Sequence, residues 1–120
     1  MRLPRTHSMT HRKDFLRVRT TGQAKAGRFV VLSTLADPTL EHLMVAFITT
    51  RKTGKAHDRN LLRRRFRTIL QQHGEHFPDH QRFLVTIARP GAAKAAFADL
   101  ESDWLRQARR LGLIPRPSAE

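Results

Sequence analysis

Cysteine is absent from the 120-residue chain. Disulfides, thiolate nucleophiles and cysteine-ligated zinc are excluded, and the composition fits a reducing compartment, so a cytoplasmic protein is expected. Long apolar runs are also missing: the longest, Leu43 to Ile48, has six residues, against the roughly 20 a helix needs to cross a bilayer. No membrane span is expected. The basic start, Met1-Arg2-Leu3-Pro4-Arg5, leads into polar residues, which predicts no secretory signal. Glycine and proline are sparse at 6 each while apolar residues make up 39%. That balance excludes a low-complexity linker and supports one domain with a small core.

Acids are scarce, 10 against 23 Lys and Arg, for a formal charge of +13. The excess is segregated. Residues 1–30 hold eight bases and one acid, Asp14, and residues 51–67 hold eight more with only Asp58, while the other 73 residues carry seven bases and eight acids. Unpaired like charges on one helix repel each other, so clustering of this kind points to a polyanionic partner, with nucleic acid ahead of a membrane surface.

Element signals run in the order α-β-β-α-β-α. Residues 10–20, opening at Thr10 and closed by Gly22, read as a short helix. Phe29 to Leu32 and Leu43 to Ile48, separated by Asp37-Pro38, read as an antiparallel pair. A helix of about 15 residues from near Lys55 ends at Gly74, Phe83 to Ala88 is a buried strand stopped by Pro90-Gly91, and a last helix spans Ala93 to Leu111. On that helix Phe97, Leu100, Trp104, Ala108 and Leu111 form an apolar stripe. The expected fold is an α+β two-layer sandwich, helices packed against one small sheet. One domain is expected over residues 1–114, with a flexible tail over 115–120 marked by Pro115-Arg116-Pro117.

On the second basic segment a helical projection puts Leu62, Phe66, Ile69 and Leu70 on a buried face. Arg59, Arg63 and Arg67 recur at four-residue steps along its edge, with Asn60 and Arg64 beside them. No acid lies between Arg59 and Arg67, whereas ordinary surface helices intersperse both signs. Guanidinium forks suit phosphate because each donates two parallel hydrogen bonds. The acids Asp99, Glu101 and Asp103 fall early in the last helix, where they complement its dipole. His73, His76 and His80 are split by Gly74 and Pro78 and read as a solvated loop without metal-ligand spacing. Neither a P-loop nor a dinucleotide fingerprint occurs.

The run Gly54-Lys55-Ala56-x-x-Arg59-Asn60-x-x-Arg63-Arg64-x-x-Arg67 resembles the signature helix of the bacterial ribonuclease P protein component. Further landmarks match in order and spacing: Arg12-Lys13-Asp14-Phe15, Gly22, Arg28-Phe29, Arg51-Lys52 and Ala88-Arg89-Pro90-Gly91-Ala92. The resemblance covers roughly residues 3 to 111. It implies that the chain is the protein subunit of a ribonucleoprotein endonuclease in which a large RNA subunit cuts precursor tRNA at the mature 5′ end. Magnesium ions are then held mainly by RNA and substrate, no catalytic or metal-ligating residue lies in the protein, and the free protein is a monomer. It further implies RNA contacts by Arg51, Lys52, Lys55, Arg59, Asn60, Arg63, Arg64 and Arg67. A cleft between the first helix and the sheet grips the single-stranded 5′ leader, with Arg12, Phe15, Arg19 and Arg28 as its candidate residues. Leu61 replaces a usual motif arginine, His57 and Thr68 a usual valine and glutamate, and Arg19 and Ser33 common aromatics.

The alternative, from charge alone, is a non-catalytic module for structured RNA of ribosomal or assembly type. A DNA-binding reading lacks a helix-turn-helix pair, and a stand-alone nuclease lacks clustered carboxylates.

Overall fold

The computed structural model describes residues 1–115. Its elements are α1 (Arg12–Thr21), β1 (Gln23–Ala26), β2 (Val30–Ala36), β3 (Met44–Ile48), α2 (Ala56–His73), β4 (Arg82–Ala88) and α3 (Phe97–Arg110), with short 3-10 turns between several of them. The α+β class is as expected, with one more strand than the sequence signals. The tail expected over 115–120 lies, apart from Pro115, outside the described residues.

The strands form one sheet in the order β1-β2-β4-β3. β2 is antiparallel to both β1 and β4, and β3 is parallel to β4. The expected antiparallel pairing of β2 with β3 is therefore corrected. β4 is buried along nearly its whole length, and pairing β2 with β3 would leave that strand at an edge. It takes the centre instead, and α2 supplies the crossover that parallel β3 and β4 require.

Alternation along the strands divides the core in two. Val30, Leu32, Val45, Leu84 and Ala88 face one cluster with Leu62, Phe66, Ile69 and Leu70 of α2 and Leu100, Trp104 and Ala108 of α3. Phe83, Val85, Met44, Ala46, Ile48 and Ile87 face the other, with Val18 and Phe15 of α1. Helices thus cover both faces of the sheet, α2 and α3 on one and α1 on part of the other, where two layers were expected. The Trp104 indole N–H donates to the Thr86 hydroxyl at 3.2 Å, so the buried tryptophan leaves no polar atom unpaired.

Helix ends follow local chemistry. α1 starts after His11, not at Thr10, and stops where the Gly22 N–H donates to the Val18 carbonyl. Gly22 is obligatory by contact, since a Cβ there would lie 2.4 Å from the Thr34 carbonyl oxygen of β2. α3 begins at Phe97, four residues later than its expected start, because Ala92–Lys94 form a separate 3-10 turn after Gly91, whose φ is 94°. No helix among the described residues is long and apolar enough to cross a membrane.

Candidate nucleic-acid interface

Two surfaces meet at β3. The first is a groove of about 480 Å³ roofed by Phe15, Val18 and Arg19 of α1 with Gly22 just past its end, and floored by Ala24, Ser33, Ile48, Val85 and Ile87. Spacings of three and four residues put the α1 members on one face of that helix. Phe15 is half-buried and packs against the Val18, Phe83 and Val85 cluster, while Arg19 is exposed. Arg17 anchors the helix: its guanidinium lies 3.2 Å from Asp37 Oδ2 and sits over the Phe83 ring. Asp37 also accepts bonds from the Thr39 hydroxyl at 2.6 Å and the Thr39 N–H at 3.0 Å. The Thr39 bonds, with Arg17, hold the Asp37 carboxyl below the usual carboxylate range.

The second surface is a shallow concavity of about 540 Å³ on α2, lined by Asn60, Arg63, Arg64 and Arg67 with Phe47 of β3 as its floor. Arg63 donates to the Thr49 hydroxyl at 2.6 Å and to the Asn60 side-chain oxygen, which fixes its fork at the end of β3. Arg67 donates to the Leu3 carbonyl at 3.0 Å and lies over the Phe47 ring, 5.8 Å from its centroid. Arg64 is exposed. Arg59 is half-buried, and its Nε is buried without a protein partner. Asp58, the acid of this segment, accepts the Lys55 N–H at 3.2 Å at the start of α2. Arg51, Lys52 and Lys55 are exposed on the turn that leads from β3 into α2.

The structure thus assembles Asn60, Arg63, Arg64 and Arg67 on one surface and Phe15 with Arg19 on the other. Arg12 is exposed one turn before Phe15, outside the groove walls. Arg28 is not in the groove either: it sits on the β1–β2 turn with its guanidinium 5.0 Å from the Phe29 ring centroid. Phe47 and the apolar walls Val18, Ile48, Val85 and Ile87 were not singled out by sequence. The strand residues among them face one side of the sheet by the alternation of β3 and β4, and Val18 lies on the Phe15 face of α1, but neither period says that a side is open. Ser33 and Arg19, the two positions where the resemblance predicts aromatics, both line the groove.

Asp103 does more than complement a dipole, since its carboxylate accepts the Phe29 and Val30 N–H groups at 2.8 and 3.1 Å. His73 is no solvated loop residue: it ends α2, lies 3.0 Å from Glu101 and stacks near Trp104. Among the described residues no three His, Asp or Glu side chains gather into a metal-ligating group.

Fold and site together define an α+β protein with an arginine-rich helix beside a groove walled by one aromatic and one arginine. A family model for Ribonuclease P matches residues 3–112, and the chain belongs to that family. The ribonuclease P protein component of Thermus thermophilus is 39% identical over 102 residues, covering 85% of this chain and 58% of that protein. This chain therefore spans little more than half the length of its Thermus relatives. The protein component of Gluconacetobacter diazotrophicus is 31% identical over 109 residues, with 91% and 94% covered. Among solved structures, the RNase P protein of Staphylococcus aureus superposes with a TM-score of 0.82 at 20% identity, over 90% of this chain and 97% of that one. The Thermotoga maritima RNase P protein gives 0.74 at 22% identity, over 86% and 96%. At such identities these likenesses speak to the fold.

Proposed function

We propose that this chain is the protein subunit of ribonuclease P, a ribonucleoprotein endoribonuclease whose RNA subunit performs the 5′ maturation of precursor tRNA in the cytoplasm. One observation supports this above others: a groove walled by Phe15 and Arg19 and a carboxylate-free arginine ridge share strand β3. The groove suits a single strand. Phe15 offers a ring face on which a base of any sequence stacks, worth about 1–3 kcal/mol, the aliphatic walls shield that contact from water, and Arg19 neutralises a phosphate. The ridge suits structured RNA, because Arg63 is fixed by Thr49 and Arg67 by Leu3, so their remaining N–H groups are oriented before a phosphate arrives. The free protein is a monomer, and it joins the RNA subunit.

Phosphodiester cleavage of this kind uses magnesium, and among the described residues no three carboxylate or imidazole side chains gather into a ligand set. Asp58 and Asp103 accept backbone N–H groups and Asp37 is bonded to Thr39 and Arg17, each at a separate place. In this reading the ions are held mainly by RNA and substrate, and this chain binds and orients.

The test is reconstitution with a bacterial ribonuclease P RNA at low magnesium. The chain should stimulate cleavage of precursor tRNA, more so with a leader of several nucleotides than with one, and should cleave nothing without the RNA. RNA binding without stimulation would instead support the structured-RNA module.

A further inference from the structure

A second basic surface, separate from the groove and the α2 ridge, is assembled at the β1–β2 turn. β2 is antiparallel to β4, and β4 is parallel to β3, so this turn lies at the same end of the sheet as the exits of β4 and β3. Arg89, just past β4, donates to the Gly27 carbonyl at 2.7 Å. Arg110, in the last turn of α3, reaches Gln107 at 2.7 Å and the Ala26 carbonyl at 3.4 Å. Arg28 projects from the turn itself, and Arg106 precedes Arg110 by one helical turn on the same side of α3. All four arginines are exposed, and none lies within ion-pair distance of a carboxylate among the described residues. Asp103, the acid bonded at this turn, is occupied by two backbone N–H groups and the Gln107 amide. By sequence these arginines are scattered, three of them in the stretch whose net charge is near zero.

Complementing the α3 dipole accounts for a base at Arg110 but not for Arg28 and Arg89, which arrive from other elements. We infer that this turn is an additional RNA-docking surface, taking the phosphate backbone of structured RNA and extending the α2 ridge across the end of the sheet by way of Arg51 and Lys52. The inference rests on the reading of the chain as an RNA-binding subunit. An acidic protein fits less well. Protein interfaces are anchored by buried aromatic or aliphatic side chains, and the one large exposed apolar residue among the described ones is Leu16, on α1. Arg89 and Arg110 are each held through one terminal guanidinium nitrogen and keep the other for phosphate.

The test measures equilibrium binding of the full chain to a bacterial ribonuclease P RNA across a salt series. Arg28→Gln with Arg106→Gln and Arg110→Gln should weaken binding at least about tenfold at physiological salt. It should also lower the slope of log K against log salt by about two units, since each phosphate contact contributes roughly 0.7–0.9. Arg106 makes no side-chain hydrogen bond among the described residues, so Arg106→Glu alone should weaken binding without changing the melting temperature, which guards against a folding defect. Wild-type binding with unchanged affinity and slope in both variants would overturn the inference, as would intact RNA binding alongside lost capture of an acidic protein. Absence of RNA binding by the wild type would overturn instead the functional reading beneath it.

Discussion

Phe47 and Ile48 are neighbours in β3 and serve opposite faces of the sheet: Phe47 floors the concavity on α2, and Ile48 floors the groove under α1. One strand thus supports two surfaces, one on each face of the sheet. Independent sites add, usually within about 0.3–0.5 kcal/mol. Arg64→Ala should weaken assembly with the RNA subunit, Phe15→Ala should weaken leader binding, and the double variant should show the sum. A coupling well above 1 kcal/mol in a double-mutant cycle on precursor tRNA binding would mean that the two surfaces act as one.

Arg64 and Arg67 are expected to differ. Arg67 ties α2 to the Leu3 carbonyl and covers Phe47, so Arg67→Ala should lower stability by about 1 kcal/mol as well as weaken RNA binding. Arg64 is exposed, so its loss should leave urea denaturation unchanged and reduce RNA affinity alone. Equal melting curves for both variants would show that the Leu3 contact adds nothing to stability.

The β1–β2 turn depends on a missing side chain. A Cβ on Gly27 would fall 2.2 Å from Asp103 Oδ1, in the space the carboxylate uses to reach the Phe29 and Val30 N–H groups. Hydrogen bonds to a charged group are worth about 1.5–3 kcal/mol each. Gly27→Ala and Asp103→Ala should each destabilise the domain by roughly that amount, and the double variant should cost less than their sum, because both break the same contact.

Where a feature depended on local pattern, the residues announced it. The buried faces of α2 and α3, the α2 ridge and the Gly22 stop follow from period and from one residue type, and each is where the pattern puts it. β1 was missed because Gln23–Ala26 is exposed at all four positions on an edge strand and has no apolar alternation to read. The β2–β3 pairing was misread because Asp37-Pro38 permits a hairpin, while the choice against it was made by β4, some forty residues further on. Arg28 was assigned to the leader cleft through the resemblance, yet its position is set by Asp103 and Arg89, which approach the turn from α3 and β4. Contacts across such separations leave no local trace.

Stability should fall in two steps as pH is lowered. Burial, with the His42 ring stacked at 3.9 Å, holds His7 below the ordinary imidazole range. The unfolded chain therefore binds the proton first, so this contribution is full above about pH 6.5, falls as pH drops through that value, and levels off below the folded pKa. His7→Phe should keep the stack and flatten the melting temperature between pH 7.5 and 5.5. Asp37, depressed by Thr39 and Arg17, gives a second step. Its contribution is full above about pH 4 and is lost as pH falls through its lower folded value. Asp37→Asn should remove that acid step. A melting temperature that rises from pH 7.5 to 5.5 in the wild type would contradict the His7 assignment.

The groove gives the sharpest test, because its chemistry can be changed in both directions. Phe15 is its one aromatic wall, and Ser33 stands on the floor where a ring could be added. Phe15→Ala removes a stacking face worth about 1–3 kcal/mol, so precursor tRNA with a leader of several nucleotides should bind about five- to 150-fold more weakly. Mature tRNA affinity and assembly with the RNA subunit should hold. Because Phe15 also packs on Val18 and Val85, Phe15→Leu serves as the control that retains bulk while losing the ring. It should stay folded and still lose leader affinity. Ser33→Tyr adds a ring on the groove floor and should tighten leader-containing substrate alone. If Phe15→Leu binds the leader as the wild type does and Ser33→Tyr changes nothing, the groove does not hold bases. Stacking would then have to be abandoned in favour of charge, with Arg19 as the next residue to remove.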